Sequence, residues 1–283
     1  MPIRCPECSN VISSDGFCGT DGCLTPVDGV WRLMTLAFYQ ELLPFLKGFE
    51  AMREQEGFRI KDTSLYSRMP FGSNYPPIFG DTFRQLERDL GWIHKRLPKH
   101  PVKVLNYGSW NGWLSHQLAE HQHKVTAISY FIDSYDGLAA KKYFPTDWRA
   151  IQMNIEDLQI IDENFDVIIM NRGISYLTQP LAIVRRLMEK LTSSGLLLIT
   201  GLNVYSNPIS RQKTLADRAA RYRRLYGVEL FPFPTRGYLD QDDLSGLKQL
   251  GISLDACRYG LSNLRSFFRP SRPRCYRGRY QKS

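Results

Sequence analysis

Two glycines, Gly108 and Gly112, follow the apolar and β-branched run 102–107 and precede an amphipathic segment that starts at Trp113. Glycine at such a turn lets the backbone approach a ligand that a Cβ would block. A helix that begins there adds unpaired N–H groups and a partial positive charge, which suit a carboxylate or a phosphate. The spacing therefore predicts a strand, a tight loop and a helix around a nucleotide-type cofactor, although an ordinary strand-to-helix turn fits the loop equally well.

Four cysteines near the start form two close pairs, Cys5 with Cys8 and Cys18 with Cys23. Such pairs can present four thiolates to one tetrahedral zinc ion, and two disulfides are the alternative. No signal peptide and no long apolar run precedes the core, so a reducing, cytoplasmic compartment is expected, which favours zinc. A closed four-thiolate site is structural, and we assign no chemistry to it.

The other nucleophilic and titratable side chains form no recognisable catalytic cluster. Cys257 and Cys275 are unpaired by their spacing and are predicted to be buried, inert thiols. His116, His121 and His123 belong to the first helix of the core or follow it, and we expect them at the surface. Nucleophilic catalysis by a Ser/His/Asp or Cys/His arrangement is therefore not indicated.

The elements that must position the glycine loop alternate between strands and helices. Alternation of this kind predicts βαβ units and a Rossmann-like, doubly wound, mostly parallel sheet in the α/β class. The predicted strands after the loop are 124–130, 150–153, 165–171 and 196–201, and the predicted helices are 133–143, 180–191 and 211–227.

Four segments resemble class I S-adenosylmethionine (SAM) dependent methyltransferases, in the order of that family: 104–112, 155–158, 165–169 and 191–200. The resemblance covers residues 100–256 and is specific to the fold more than to the activity. It implies SAM as cofactor and methyl transfer to an acceptor that it does not identify.

The resemblance also implies which residues contact the cofactor, at the ends of four strands. These are Gly108, Ser109, Asn111, Gly112, Ser129, Tyr130, Ile155, Glu156 and Asn171. Ser175 and Tyr176 are the nearest polar candidates for orienting an acceptor, and neither is a strong base at neutral pH.

Several positions depart from the family pattern. Asn106 stands where the first strand usually ends in an acid, Ser129 replaces the acid that accepts the ribose hydroxyls, and Trp110 replaces the middle glycine of the loop. A serine makes weaker bonds than a carboxylate. A methyltransferase-like protein without turnover, which acts as a platform for protein or RNA, is therefore the alternative.

Charge is concentrated at the carboxyl end: the chain carries +9 in total, and residues 258–283 contain eight basic residues and no acid. Arginines interleaved with aromatic residues suit RNA or an acidic protein surface, so an RNA methyltransferase is a further alternative. A solvated tail or a last hairpin of the sheet is equally compatible, and Pro270 and Pro273 argue against a central strand there. The helix at 211–227 is predicted to have a basic outer side or to form a lid over an acidic substrate.

The segment before the core completes the predicted organisation. Residues 28–34 resemble the exit strand of a zinc ribbon, and 49–57 is similar to a methyltransferase subgroup that begins with one. Helices are expected at 37–56 and 81–97, with a long lid loop at 69–80 between them. The predicted units are a small zinc ribbon (1–35), a helical connecting region (36–100), the α/β core (101–256) and a basic, aromatic tail (257–283).

Overall fold

The computed structural model describes residues 3–12, 17–18, 22–23, 26–72, 74–257 and 272–282. Most strands of this part belong to one sheet, and the shortest ones form two small hairpins. In chain order the strands are β1 (Ile3–Arg4), β2 (Val11–Ile12), β3 (Phe17–Cys18), β4 (Gly22–Cys23), β5 (Val30–Leu33), β6 (Lys103–Tyr107), β7 (Lys124–Ser129), β8 (Arg149–Met153), β9 (Phe165–Asn171), β10 (Leu191–Val204), β11 (Ser253–Ala256) and β12 (Arg274–Gln281).

Helices connect these strands, close to the predicted bounds. The α-helices are α1 (Leu36–Gln55), α2 (Thr82–His94), α3 (Trp113–Glu120), α4 (Pro180–Glu189), α5 (Ile209–Tyr226) and α6 (Gln241–Gln249). Short 3-10 helices cover Thr63–Arg68, Pro77–Phe79, Leu138–Tyr143, Leu158–Ile160 and Ile174–Tyr176. Within the described residues, no helix combines the length and apolarity that crossing a membrane requires.

The main sheet has eight strands in the order β11-β12-β10-β9-β6-β7-β8-β5. From β10 to β5 every neighbouring pair is parallel. The chain leaves β6 toward β7 on one side and returns to β9 on the other, which makes the carboxyl ends of β6 and β9 the switch point of the fold. The loop after β6 therefore lies where such sheets bind ligands.

Both faces of the sheet are covered, as the alternation of elements predicts. One face packs on α1, α4 and α6, which contribute Leu42, Val184 and Leu247 to the core. The other face packs on α2 and α3, which contribute Leu90 and Leu118. Burial on both sides explains why the strands are apolar runs rather than alternating ones. The prediction of a mostly parallel α/β fold is confirmed.

The predicted helix at 133–143 forms only in its second half, as the 3-10 helix Leu138–Tyr143. The carboxylate of Asp133 instead accepts hydrogen bonds from the backbone N–H groups of Tyr135 and Asp136, at 2.8 and 2.9 Å. Asp and Asn side chains offer the backbone such local bonds in place of helical ones, and that competition accounts for the difference.

The predicted tail is partly a strand, because β12 lies between β10 and β11 and pairs antiparallel with both. This corrects the inference drawn from Pro270 and Pro273. Pro273 directly precedes β12, where its missing N–H costs no ladder hydrogen bond. The last-hairpin interpretation is the one that holds here, while 258–271 and 283 lie outside the described residues.

Asp89 of α2 ties that helix to the sheet. Its carboxylate is fully buried and bonds to two arginines: Nη2 of Arg277 in β12 lies 2.8 Å from Oδ1, and Nε of Arg172 after β9 lies 2.9 Å from Oδ2. A buried charge is tolerated when it is paired in this way.

The amino-terminal segment supplies one strand to the main sheet, because β5 pairs parallel with β8. Cys5 and Cys8 lie in the turn between β1 and β2, and Cys5 is buried. The side chains of Cys18 and Cys23 lie outside the described residues. Within the part of the chain that is described, no group of three His, Cys, Asp or Glu residues is placed to hold a metal ion. The zinc site stays a prediction.

Two expectations about single residues change. His116 and His123 are buried rather than at the surface, whereas His121 is exposed as predicted. His116 Nδ1 lies 2.9 Å from Thr146 Oγ1, and so its polar atoms find partners inside the protein.

The buried thiols of Cys257 and Cys275 are adjacent, with 3.0 Å between their Sγ atoms. Sequence spacing separates them, but the antiparallel register of β11 and β12 brings them opposite each other. Their predicted burial is confirmed. No disulfide joins them, but the two thiols are in contact, which their sequence spacing did not predict.

Candidate functional site

The loop after β6 is built from residues with left-handed backbone conformations. Gly108 and Gly112 have φ of 69° and 88°, and Trp110 between them has φ of 50°. The backbone N–H groups of Gly108 and Ser109 both donate to the carbonyl oxygen of Ile128 in β7, at 3.0 Å each. These bonds hold the loop against the neighbouring strand and fix its shape.

The two glycines of the loop have different surroundings. A Cβ on Gly108 would meet no atom within 4 Å, so this glycine borders open space. A Cβ on Gly112 would lie 2.3 Å from Cη2 of Trp148, so this glycine makes room for an indole ring. Of these two glycines, Gly108 is the one at which a ligand can come close to the backbone.

The hydroxyls of Tyr107 and Ser109 flank Gly108 in the chain, and both are buried without a hydrogen-bond partner among the described residues. Burial raises the pKa of Tyr107 well above its ordinary value, and the nearby Tyr130 and Glu156 raise it further. The phenol therefore keeps its proton and remains a donor. Buried polar groups are rarely left unbonded, and those that are point to a missing ligand or water.

Trp110 does not occupy the space beside Gly108. Its indole N–H donates to Oδ1 of Asp136 at 3.3 Å, and its ring centroid lies 6.3 Å from that of Phe79. Asp136 is itself held by Arg53 of α1, with 2.7 Å between Nη2 and Oδ1. The indole thus packs toward the loop after β7 and the lid segment.

The predicted contacts at the ends of β7 and β8 are largely engaged with the protein. Ser129 Oγ accepts from the N–H of Phe131 at 3.2 Å, and the Tyr130 hydroxyl donates to Oδ1 of Asn154 at 3.2 Å. Burial raises the pKa of Tyr130. The Tyr130 ring centroid lies 5.5 Å from that of Phe233, which comes from the segment after α5.

Ile155 and Glu156 follow β8 at the same edge. Ile155 is buried, and a carboxylate oxygen of Glu156 accepts from the N–H of Thr178 at 3.1 Å. The Glu156 backbone oxygen accepts from Arg186 at 3.0 Å. These bonds join the turn after β8 to the segment before α4 and to the last turn of that helix.

Asn111 points away from the open space. It is fully buried, its amide donates to Sδ of Met69 at 3.4 Å, and its Oδ1 accepts from the N–H of Trp113 at 3.3 Å. Asn106 likewise donates to Oγ of Ser115 at 2.8 Å. Asn111 and Gly112 therefore hold the shape of the loop through buried contacts, and the loop borders open space at Gly108.

The remaining predicted residues lie beyond β9. Asn171 ends that strand, and its Oδ1 accepts from the hydroxyl of Thr200 at 2.6 Å. Ser175 and Tyr176 belong to the 3-10 helix that follows, where Ser175 is half-buried and Tyr176 is 54% exposed. The predicted residues at the ends of β6, β7 and β8 are thus mostly buried, whereas those after β9 include the exposed Tyr176.

Sequence reasoning missed Tyr107, Asp136 and Phe233. Tyr107 carried a signal, since a tyrosine directly before the first glycine of a tight loop places a phenol at the switch point. Asp136 lies in a segment that was predicted to be helical, and Phe233 is far away in the chain. Only tertiary structure brings these two to the loop.

Comparison with known proteins gives one family match: residues 105–199 match the family model described as a methyltransferase domain. No curated protein sequence matches the chain.

Among solved structures, the N-methyltransferase NodS from Bradyrhizobium japonicum WM9, in complex with S-adenosyl-L-homocysteine, is 16% identical. That match covers 78% of this chain and 97% of NodS, with a TM-score of 0.44. The magnesium protoporphyrin IX methyltransferase from Synechocystis PCC 6803, with bound S-adenosyl-L-homocysteine, is 13% identical. Here 81% of this chain and 97% of that one are covered, with a TM-score of 0.48.

Proposed function

We propose that this chain, which carries a methyltransferase domain of the class I SAM-dependent family at residues 105–199, binds SAM beside Gly108 and methylates an acceptor. The observation that carries the proposal is the open space in front of Gly108, where a Cβ would meet no atom within 4 Å. The unbonded hydroxyls of Tyr107 and Ser109 flank that glycine, and a polar ligand would satisfy them.

Each part of the cofactor has a group in this chain that suits it. We assign the methionine carboxylate to the neighbourhood of Gly108 and Ser109, because Gly108 borders open space and the Ser109 hydroxyl has no hydrogen-bond partner among the described residues. We assign the ribose to the neighbourhood of Tyr107, Ser129 and Tyr130, and the adenine to that of Ile155.

SAM supplies a methyl group that its positively charged sulfur already activates. The protein must therefore align the acceptor and exclude water, and it needs no strong base unless the acceptor is a weak nucleophile. The aromatic rings of Phe38 in α1 and Phe233 pack near Tyr130, with centroids 6.2 and 5.5 Å from its ring. We propose that these segments cover the cofactor during methyl transfer.

The alternative is a methyltransferase-like binding protein without turnover. It is favoured by Asn106 and Ser129, which donate and accept within the protein in the positions where the family has acids. Binding and turnover are separable, so both proposals can be tested on the same preparation.

Isothermal titration of SAM and S-adenosylhomocysteine into the full chain tests the proposal. We expect both to bind, and we expect Gly108→Ala to weaken both by about tenfold or more, because the new methyl group enters the open space. Gly57→Ala is the matched control: Gly57 has φ of 74° and its Cβ would also meet no atom within 4 Å.

The two variants carry similar backbone strain, of about 1 kcal/mol, but only one borders the proposed site. If neither ligand binds the unaltered chain, or if both variants bind alike, the cofactor site is elsewhere or absent. If SAM binds but no methyl group leaves it in the presence of cell extract as acceptor source, the non-catalytic alternative is favoured.

We also propose that Cys5, Cys8, Cys18 and Cys23 hold one structural zinc ion, in the reducing cytoplasm that the sequence indicates. Two antiparallel pairs, β1–β2 and β3–β4, carry one cysteine pair each, which supports the proposal. Metal analysis of the purified protein should give about one zinc per chain, and Cys8→Ser should lose it. Zinc content unchanged by Cys8→Ser would contradict this assignment.

A further inference from the structure

The carboxyl ends of β9 and β10 carry an aromatic residue that is both exposed and held in place. Tyr176 is 54% exposed, and its ring centroid lies 5.8 Å from that of Phe231. The hydroxyl of Thr235 lies 3.2 and 3.0 Å from the carbonyl oxygens of Ser175 and Leu177. These contacts fix the turn that presents the phenol ring, so a flat surface is available without further ordering.

A second tyrosine and an arginine follow the neighbouring strand β10, against which the 3-10 helix that carries Tyr176 packs. Tyr205 follows β10, its N–H donates to the carbonyl of Leu239 at 2.9 Å, and the guanidinium carbon of Arg211 lies 5.7 Å from its ring centroid. Burial raises the pKa of Tyr205, Tyr176 raises it further, and the charge of Arg211 opposes both. Tyr176 and Arg211 therefore both act on Tyr205 at this end of the sheet.

Arg211 lacks the carboxylate partner that Arg223 and Arg236 have among the described residues. Arg223 pairs with Glu229 at 2.8 Å, and Arg236 lies 2.7 Å from a carboxylate oxygen of Asp243. In the described part of the chain no carboxylate pairs with Arg211, and its Nε is buried without a hydrogen-bond partner. A buried guanidinium N–H without an acceptor is costly, and an anionic oxygen would satisfy it best.

We infer that Tyr176, Tyr205 and Arg211 form the acceptor site, and that the acceptor is a planar aromatic small molecule that carries a carboxylate or a phosphate. The inference rests on the proposed function, because it takes β6–β8 as the cofactor half of the edge. The aromatic ring stacks on Tyr176, and the anionic group accepts from Arg211.

A nucleic acid polymer fits the same region less well. A polymer needs a continuous track of free cations for its phosphates. On α5, however, Arg221 and Arg223 already pair with Glu56 and Glu229 at 2.9 and 2.8 Å. Along this helix the cations without a carboxylate partner among the described residues are thus interrupted by paired ones, whereas a single anionic group needs only Arg211.

Calorimetric titration of the full chain, with and without saturating S-adenosylhomocysteine, tests the inference. One arm uses one- and two-ring aromatic carboxylates, and a second uses nucleoside 5′-monophosphates, which separates the two sources of anionic group. The neutral amides of the same aromatic acids, aliphatic carboxylates and a single-stranded RNA oligonucleotide are the comparison ligands.

We expect members of one arm to bind and their neutral or aliphatic counterparts to bind at least about tenfold more weakly. Arg211→Met should weaken that binding by about tenfold or more, and Tyr176→Ala by severalfold, whereas Tyr176→Phe should retain it. Arg224→Met is the matched control, since Arg224 lies exposed in the last turn of the same helix. None of these changes should alter the affinity for S-adenosylhomocysteine.

The inference is overturned if no anionic aromatic compound binds in either arm, if Arg211→Met and Arg224→Met behave alike, or if only the RNA binds. Failure of S-adenosylhomocysteine to bind would instead count against the proposed function. Because the acceptor titrations are also made without it, the two failures are distinguishable.

Discussion

The carboxyl edge of the sheet has two halves that differ in how they meet a ligand. On the half formed by β6, β7 and β8, polar side chains such as Ser129 and Tyr130 bond inside the protein, and the opening is defined by backbone at Gly108. On the half formed by β9 and β10, Tyr176 is exposed and Arg211 has no carboxylate partner among the described residues.

This difference fits the two proposed roles, which are cofactor binding on the first half and acceptor binding on the second. A cofactor shared by a whole family can be matched by backbone shape, which tolerates side-chain change nearby. An acceptor that varies between proteins must be matched by side chains, and these are what the second half exposes. Single substitutions should distinguish the residues that stabilise the two halves from the residues that bind a ligand.

The largest effect is expected at Asp89, which contacts Arg172 after β9 and Arg277 in β12. Asp89→Ala leaves Arg172 and Arg277 without the buried carboxylate that both contact, so the free energy of unfolding should fall by about 3–5 kcal/mol. Urea denaturation measures this. Asp81→Ala is the control, because its ion pair with Arg84 is exposed and is worth less than about 1 kcal/mol. Equal losses in the two variants would show that the buried cluster contributes little.

Gly112→Ala should be next in size and should affect stability. The new Cβ would lie 2.3 Å from Trp148 at a φ of 88°, so overpacking and backbone strain together should cost about 2–4 kcal/mol. Gly108→Ala, measured in the same urea titration, should cost about 1 kcal/mol because it meets no neighbour. If Gly108→Ala lowered the free energy of unfolding more than Gly112→Ala does, the assignment of Gly112 to packing and of Gly108 to the opening would be wrong.

Tyr107→Phe should affect binding more than folding. Its hydroxyl is buried without a partner, so its removal should leave the free energy of unfolding unchanged or raise it by up to about 1 kcal/mol, while SAM binds severalfold more weakly.

Tyr66→Phe is the matched control for that variant. The Tyr66 hydroxyl is also buried but lies 3.1 and 2.9 Å from the carbonyl oxygens of Ile60 and Tyr135, so its loss should cost about 1 kcal/mol. Calorimetry measures SAM affinity and urea denaturation measures the free energy of unfolding of both variants. A loss of stability in Tyr107→Phe would contradict the assignment of its hydroxyl to the cofactor site.

The smallest effect at neutral pH is expected at His94, near the amino edge of the sheet, where we propose no ligand. Burial and the nearby His121 and His123 lower the pKa of His94 from 6.5 to about 4. As the pH falls, the His94 imidazole takes up a proton near pH 6.5 in the unfolded chain but only near pH 4 in the folded chain. The contribution of His94 to the free energy of unfolding is therefore complete above pH 6.5 and is lost as the pH falls toward 4.

His94→Gln should therefore flatten the decline of the free energy of unfolding between pH 6.5 and pH 4, as followed by urea denaturation. SAM affinity at neutral pH should not change in this variant. A decline of unaltered slope would show that other groups control the acid response.

Local sequence patterns predicted most of the core. The apolar run of β9 and the spaced apolar residues of α4 form a strand and a helix in the structure, because burial on one or both sides imposes those periods directly. The patterns failed at 133–143, where Asp133 bonds to the backbone, and at β12, where three arginines interrupt the apolar residues that would mark a strand. In both cases a specific partner overrides local propensity.

The candidate site was predicted only in part, for a related reason. Gly108 and Gly112 are equivalent in sequence, and only the position of Trp148 separates them. Cys257 and Cys275 become neighbours only through the register of two strands. Long-range contacts of this kind leave no local signature.

By itself, the sequence determined the alternation of strands and helices, the glycine loop and therefore the edge of the sheet at which we propose the cofactor site, because these depend on hydrophobic period and on backbone freedom. Tertiary structure alone decided which glycine faces the opening, where the indole of Trp110 points and that Nε of Arg211 is buried without a hydrogen-bond partner among the described residues. Those outcomes depend on residues far apart in the chain that meet only when the sheet and its covering helices have packed.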